Sequence, residues 1–366
     1  MRRGMAALAA FALITTGGLT ACSDEGNGGS GGGGTEKKAK IGVILPDSAS
    51  SARWETADRK YLEAAFKAAG VDYDIKNAGG DKAQFQTIAD QMITGGVTVL
   101  MIVNLDSGTG KAVLDKAKAQ GIGTIDYDRL TLNGGADYYV SFDNVKVGTL
   151  QGEGLVKCLT DAGAKNPVIA ELNGSPTDNN ATLFKQGYDS VLQPKYDSKE
   201  YVKGPDEFVP DWNNTQAGTI FENMMTKTSN KIDGVLAAND GLGNAAIAVL
   251  KRNKLNGKVP VTGQDATVQG LQNILVGDQC MTVYKAIKKE ADGAAELAVA
   301  LANGQTPTGL TTVKDTESGK DVQSKLLEPV AIYKDNVKDV VADGYVTKEE
   351  LCGGSFAELC TKAGIS

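Results

Sequence analysis

Three observations predict an α/β fold built on parallel sheets. From Lys40 onward, short β-rich runs alternate with longer segments of helical period. Nearly every run ends on a polar, turn-forming residue, and no apolar run after residue 22 is long enough to span a bilayer. The expected strands are Ile41–Leu45, Val97–Val103, Thr124–Tyr127, Val168–Leu172, Val235–Ala238, Val259–Thr262 and Met281–Tyr284. Between them the spacing predicts helices over Trp54–Ala69, Phe85–Thr94, Lys111–Ala119, Val145–Leu159, Ala181–Leu192, Thr215–Thr226, Leu242–Lys251 and Ile287–Ala302. The first carries Ala57, Tyr61, Ala64, Ala65 and Ala68 on one side. Strands joined repeatedly through helices must run parallel, and their apolar faces must be covered on both sides. At 366 residues the chain exceeds what one core usually fills, so one or two units are expected. Periodicity alone does not choose between one large sheet and two lobes.

The N-terminus is a signal peptide, with Arg2 and Arg3 ahead of the apolar run Met5–Ile14 and small residues beyond it. It closes on Leu19-Thr20-Ala21-Cys22, which resembles the lipobox of bacterial lipoproteins, so Cys22 is the expected acylated residue and membrane anchor. Residues 23–37 hold Gly-Gly-Ser-Gly-Gly-Gly-Gly and little that packs, the composition of a flexible tether. The expected location is therefore extracytoplasmic, tethered to a bacterial cell membrane. Removing residues 1–22 deepens the net charge from −7 to −9, because Arg2 and Arg3 leave and no acid does. An acidic chain without a basic block is a poor nucleic-acid binder.

Besides Cys22 there are four cysteines, Cys158, Cys280, Cys352 and Cys360, an even number suited to two disulfides in an oxidising compartment. Cys352 and Cys360 are close enough to pair locally. Histidine is absent, which removes Ser-His-Asp and Cys-His catalysis and every histidine-ligated metal site. No metal and no cofactor is expected. Ser107-Gly-Thr-Gly-Lys111 lacks the first glycine and the terminal Ser or Thr of a phosphate loop, and Val341 breaks a calcium-loop pattern through Asp339, Asp343 and Glu350.

In open α/β sheets ligands sit beyond the carboxyl ends of the strands. Those ends here read Asp47, Asn104, Asp128 with Arg129, Asn173, Asn239 with Asp240, Gln264 with Asp265, and Lys285. Asn and Asp also begin loops and cap helices, and Asp240 before Gly241 reads equally as such a cap. An Asp-Arg pair at Asp128 and Arg129 alone is equally a surface ion pair, while Asp126, one residue behind the tip, reads as structural. The whole set is harder to explain that way. It joins Arg129 and Lys285 to carboxylates and amides, and both tryptophans, Trp54 and Trp212, lie in polar loop contexts. A sugar requires this inventory, since vicinal hydroxyls match the forks of Asp, Asn and Arg, and C–H faces pack on aromatic rings.

Seven segments in order carry a resemblance: Ala52-Arg-Trp54, Tyr127-Asp-Arg129, Val140-Ser-Phe-Asp-Asn144, Gly174-Ser-Pro-Thr-Asp-Asn-Asn180, Ala238-Asn-Asp240, Gly263-Gln-Asp265 and Met281-Thr-Val-Tyr-Lys285. On these, the chain resembles the D-xylose-binding proteins of bacterial ABC importers, within the ribose- and galactose-binding type of periplasmic binding protein. The resemblance implies two doubly wound parallel-sheet lobes joined by three crossovers, one of them at Ser141–Asn144, closing on sugar between them. It puts the first lobe at 38–143 plus 286–325 and the second at 144–285 plus 326–351, with 352–366 as a C-terminal tail. By position it assigns sugar contacts to Arg53, Trp54, Asp128 and Arg129 from the first lobe. From the second it assigns Asp178, Asn180, Trp212, Asn239, Asp265 and Lys285, with Trp212 as a stacking platform. Its topology places Cys158 and Cys280 at cleft-distal ends in one lobe, and they are expected to pair.

The expectation is a monomeric, anchored receptor that hands a monosaccharide, foremost xylose, to ABC permease subunits. Two other classes fit the same tips: an anchored sugar-processing enzyme using carboxylates such as Asp128 and Asp265, and a sensor acting through a signalling partner.

Overall fold

The computed structural model describes residues 39–365. The signal segment, Cys22 and the glycine-rich tether lie outside the described residues. Strand β1 (Lys40–Leu45) is Lys-Ile-Gly-Val-Ile-Leu, buried on both faces as a central parallel strand must be. After it come a π-helical turn (Trp54–Asp58), α1 (Arg59–Ala69), β2 (Asp72–Asn77), α2 (Lys82–Thr94), β3 (Val99–Ile102), α3 (Ser107–Ala119), β4 (Gly123–Tyr127) and β5 (Tyr138–Phe142). The chain continues with α4 (Asn144–Asp161), β6 (Val168–Asn173), α5 (Asn179–Asp197), β7 (Val202–Phe208), α6 (Asn214–Lys227), β8 (Gly234–Ala237), α7 (Asp240–Arg252), α8 (Val268–Val276) and β9 (Thr282–Tyr284). It ends through α9 (Ile287–Ala302), β10 (Thr311–Lys314), β11 (Asp321–Leu327), β12 (Val330–Ile332), α10 (Val337–Ala342), α11 (Lys348–Leu351) and α12 (Ala357–Lys362).

Seven strands form one sheet in the order β10-β11-β5-β4-β3-β1-β2, parallel except for the β10–β11 pair. A second, parallel sheet has the order β7-β6-β8. Single parallel bridges, Val235 to Val261 and Gln264 to Val283, carry it on to β9, which pairs antiparallel with β12. The chain thus passes between the sheets after Phe142, after Tyr284 and after Leu327. Past the second passage α9 returns to the first sheet and buries Ala291, Ala294 and Ala298 with Ile41, Val43 and Val99.

Several elements differ from expectation for identifiable reasons. Val259–Thr262, expected as a strand, makes only the one bridge at Val261, since Pro260 lacks the N–H a ladder needs. The expected helix Trp54–Ala69 opens with the π turn instead of a regular one. Strands β2 and β7 went unpredicted because both are edge strands: Asp-Tyr-Asp-Ile-Lys-Asn buries only Ile75, and Val-Lys-Gly-Pro-Asp-Glu-Phe buries no residue fully. Strand β5, Tyr-Tyr-Val-Ser-Phe, runs almost to the first passage, which narrows to Asp143 before α4.

Cys158 on α4 is bonded to Cys280 just before β9, and Cys352 to Cys360. The second bond closes a satellite cluster in which Leu351, Cys360 and Ile365 pack with Leu271, Leu275 and Val337. No helix among the described residues is long and apolar enough to cross a membrane.

Candidate functional site

The loops beyond the carboxyl ends of β1, β4, β6, β7, β8 and β9 converge on one small cavity. All ten residues expected to contact sugar line it: Arg53, Trp54, Asp128, Arg129, Asp178, Asn180, Trp212, Asn239, Asp265 and Lys285. Each is buried. Ser50, Ser51, Phe184 and Gln264 complete the wall.

Arg53 is the most constrained of these groups. Its Nε and Nη2 donate to the two carboxylate oxygens of Asp58 at 2.8 and 2.7 Å. In an α-helix a residue five positions on points about 140° away. The π turn, closed by the Arg59 N–H on the Trp54 carbonyl, is wider and brings Asp58 back over Arg53. Nη1 donates to Asp128 Oδ2 at 2.8 Å and Nη2 also to Glu290 Oε2 at 2.9 Å. Four of the five guanidinium N–H bonds are therefore engaged by protein, leaving one on Nη1. Tyr127 donates its hydroxyl to Asp58 from behind. The Arg53 guanidinium also lies 4.4 Å from the Trp54 ring centre, and that of Arg129 5.4 Å from it.

Asp128 sits at φ 61°, and the Arg129 N–H closes on the Tyr127 carbonyl around it at 2.7 Å, the strained γ-turn form. Three donors hold its carbonyl in place: Ser141 Oγ at 2.8 Å, Asn180 Nδ2 at 2.9 Å and the Tyr139 hydroxyl at 3.0 Å. Strain recurs at Asp211 and Trp212, φ 53° and 54°, and at Asp265 and Ala266, φ 93° and 48°. Left-handed non-glycine residues cost about 1–3 kcal/mol each and persist where surrounding structure enforces them. Here all three places present a residue to the cavity. Burial pushes the Asp128 carboxyl up, yet the charges of Arg53, Lys285 and Arg129 outweigh it and hold it below the ordinary range.

On the other side, Arg129 Nε and Trp212 Nε1 both reach Asp178 Oδ2 at 3.0 Å. The Trp212 ring stands edge-on to Phe184 and rests on Gly174, where any Cβ would come within 2.1 Å of it. Asn239 accepts the Leu242 N–H at 2.9 Å and so caps α7, a role that is one of the two readings of Asp240. Asp240 instead buries its carboxylate among Thr267, Gln279 and Thr282. Lys285, on the second passage between the sheets, lies 3.3 Å from Asp265 Oδ1 and 3.7 Å from Asp128 Oδ2. Apart from that ion contact Asp265 Oδ1 has no hydrogen-bond donor, and neither has Gln264 Oε1.

The wall therefore carries three cations, Arg53, Arg129 and Lys285, against three carboxylates, Asp128, Asp178 and Asp265. Balanced charge with vacant acceptors suits a neutral, hydroxyl-rich ligand, whereas an anion would need an excess of donors. Asp126 lies behind the wall, fully buried with Thr131 N and Oγ1 at 2.8 and 2.7 Å, and burial pushes its carboxyl up to about 7.

Of the wall residues missed in sequence, Gln264 was visible as a strand tip. Phe184 was not, since it keeps the helical spacing of a core residue. Asp47, also a tip, lies off the cavity and folds the first loop by accepting from Ala49 N, Ser50 N and Ser50 Oγ at 2.7, 2.6 and 2.9 Å.

Residues 41–306 match the family described as periplasmic binding protein domain. The chain is 38% identical over 316 residues to the D-xylose-binding periplasmic protein of Escherichia coli (strain K12), covering 86% of this chain and 93% of that one. It is 36% identical over 322 residues to the multiple sugar-binding periplasmic receptor ChvE of Rhizobium radiobacter, covering 84% and 90%. Among solved structures it is similar to an ABC transporter solute-binding protein of Clostridium phytofermentans with bound β-D-glucose, at TM-score 0.78, 30% identity and coverage of 85% and 99%. The chain belongs to the periplasmic binding proteins, a family of solute-binding proteins and not of enzymes.

Proposed function

We propose that this chain is a lipid-anchored receptor that captures a monosaccharide, foremost D-xylose, and delivers it to the permease of an ABC importer. The balanced wall of hydroxyl-matching forks, with Gln264 Oε1 lacking a donor, Asp265 Oδ1 met only by Lys285, and two tryptophans in the same lining, carries this reading. The names of its relatives support it, xylose from one and several sugars from another. Cys22 supplies the anchor and residues 23–37 the tether.

In this reading the lobes are 38–143 plus 286–325 and 144–285 plus 326–351, with 352–366 as the closing segment of the chain. The sugar bonds to both lobes only when they are closed, so it shifts the population toward the closed form by its differential affinity. The permease reads that form.

A thermal-shift series with xylose, ribose, arabinose, glucose and galactose tests the assignment. At a hundredfold excess over Kd the preferred sugar stabilises by about 2.7 kcal/mol. Xylose is expected to give the largest rise, and a series in which no sugar moves the midpoint would overturn the sugar reading. Replacement of Cys22 by serine is expected to move the protein from the membrane to the soluble fraction of its host; retention in the membrane would refute the anchor.

A further inference from the structure

The loop after β1, residues 47–52, is fastened across the cavity. Ser51 Oγ donates to Asp265 Oδ2 at 3.1 Å, Asn239 Nδ2 to the Ser50 carbonyl at 3.3 Å and Asn214 Nδ2 to the Ala49 carbonyl at 3.5 Å. Its own side is held by the Asp47 carboxylate and by Trp54 Nε1, which donates to Ser50 Oγ at 3.1 Å. A loop from the first sheet is thus locked to side chains of the second.

Beside this loop lies a second, larger cavity of about 470 Å³. Its lining includes Lys60, Asn244, Tyr345 and Glu350, polar and aromatic groups absent from the site cavity. Ser50 and Ser51 line both this cavity and the site cavity, as do Arg53, Asn239 and Asp265. Ser51 stands on the border between the two, and its hydroxyl reaches along that border to Asp265. This bond also occupies Oδ2 and leaves only Oδ1 without a hydrogen-bond donor.

We propose that Ser51, seated by Ser50, is a size filter that confines the ligand to a single unsubstituted sugar ring and sets which oxygen of Asp265 that ring meets. Without the Ser51 side chain the two cavities join, and a substituent on the ring passes into the outer one. This inference rests on the sugar-binding reading.

The test is calorimetry on the mature chain and its Ser51→Gly and Ser51→Ala variants, with folding checked by circular dichroism. The ligands are xylose, glucose, which adds a hydroxymethyl group at C5, and the methyl α- and β-xylosides, which extend from C1. The wild type is expected to discriminate roughly 10- to 200-fold against at least one extended ligand relative to xylose. Ser51→Gly is expected to reduce that ratio by about 10-fold or more, and Ser51→Ala by less. Equal binding of xylose and every extended ligand by the wild type overturns the filter. So does an unchanged ratio in a folded Ser51→Gly or Ser51→Ala variant. Absence of binding to every one of these sugars by the wild type instead overturns the sugar reading on which the filter stands.

Discussion

The two sides of the cavity are built differently. On the first-sheet side Arg53 is locked among Asp58, Asp128 and Glu290, and the Asp128 carbonyl takes three donors. On the second-sheet side Asp265 Oδ1 and Gln264 Oε1, both in the cavity wall, are buried without a hydrogen-bond donor, whereas on the first side Glu290 Oε1, outside the wall, is so placed. A dense ion-pair network favours one geometry, while unpaired acceptors at the cavity wall leave a desolvation cost that a ligand can offset. On the proposed reading the first side is the more rigid template and the second the half a ligand completes. Lys285, in ion contact with Asp128 and Asp265, ties them together.

The largest effect should come from breaking the template. Arg53→Met leaves three buried carboxylates facing one another, and urea unfolding is expected to show a loss of about 3–5 kcal/mol together with loss of sugar binding. A variant of unchanged midpoint would mean that the ion cluster is not the rigid half.

Next comes the incomplete side. Asp265→Asn and Asn239→Ala are each expected to weaken sugar binding by about 1–3 kcal/mol in calorimetry. Only the second should also lower stability noticeably, by about 1 kcal/mol, because Asn239 caps α7. Unchanged affinity in both would remove this side from the site.

The smallest effect distinguishes members of the cluster by pH. Glu290 is fully buried, and burial, then the nearby Asp128 and Asp58, push its carboxyl well above the ordinary range despite the opposing charges of Arg53 and Lys285. A raised pKa means that its contribution to stability is complete below the unfolded value of about 4.3 and is lost as pH rises through the folded one. Asp128, held low, has the opposite sign: its contribution is present above about 3.9 and lost as pH falls through the depressed value. Glu290→Gln, a mimic of the protonated acid, is expected to flatten the alkaline side of a midpoint-against-pH curve and leave the acid side as it was. An alkaline limb parallel to that of the wild type would show that Glu290 does not titrate there.

Much of this site is legible along the chain because strand tips are local. A parallel strand ends where its apolar run ends, so Asp128, Asn239, Asp265 and Lys285 announce themselves. The edge strands β2 and β7 are not legible, because a half-solvated strand need not be apolar. Asp58 and Glu290 read as ordinary helix positions. Their place on Arg53 depends on a π turn and on the return of α9 to the first sheet, which bring residues 237 positions apart into contact.

By itself, then, the order of residues determined the α/β class, the polar tips and the types of group that meet a ligand, since each depends on neighbours a few residues away. The tertiary structure decided which wall acceptors lack a donor, how Arg53 is locked and that Ser51 meets Asp265. Those properties depend on distances across the cleft, set only once both sheets are packed.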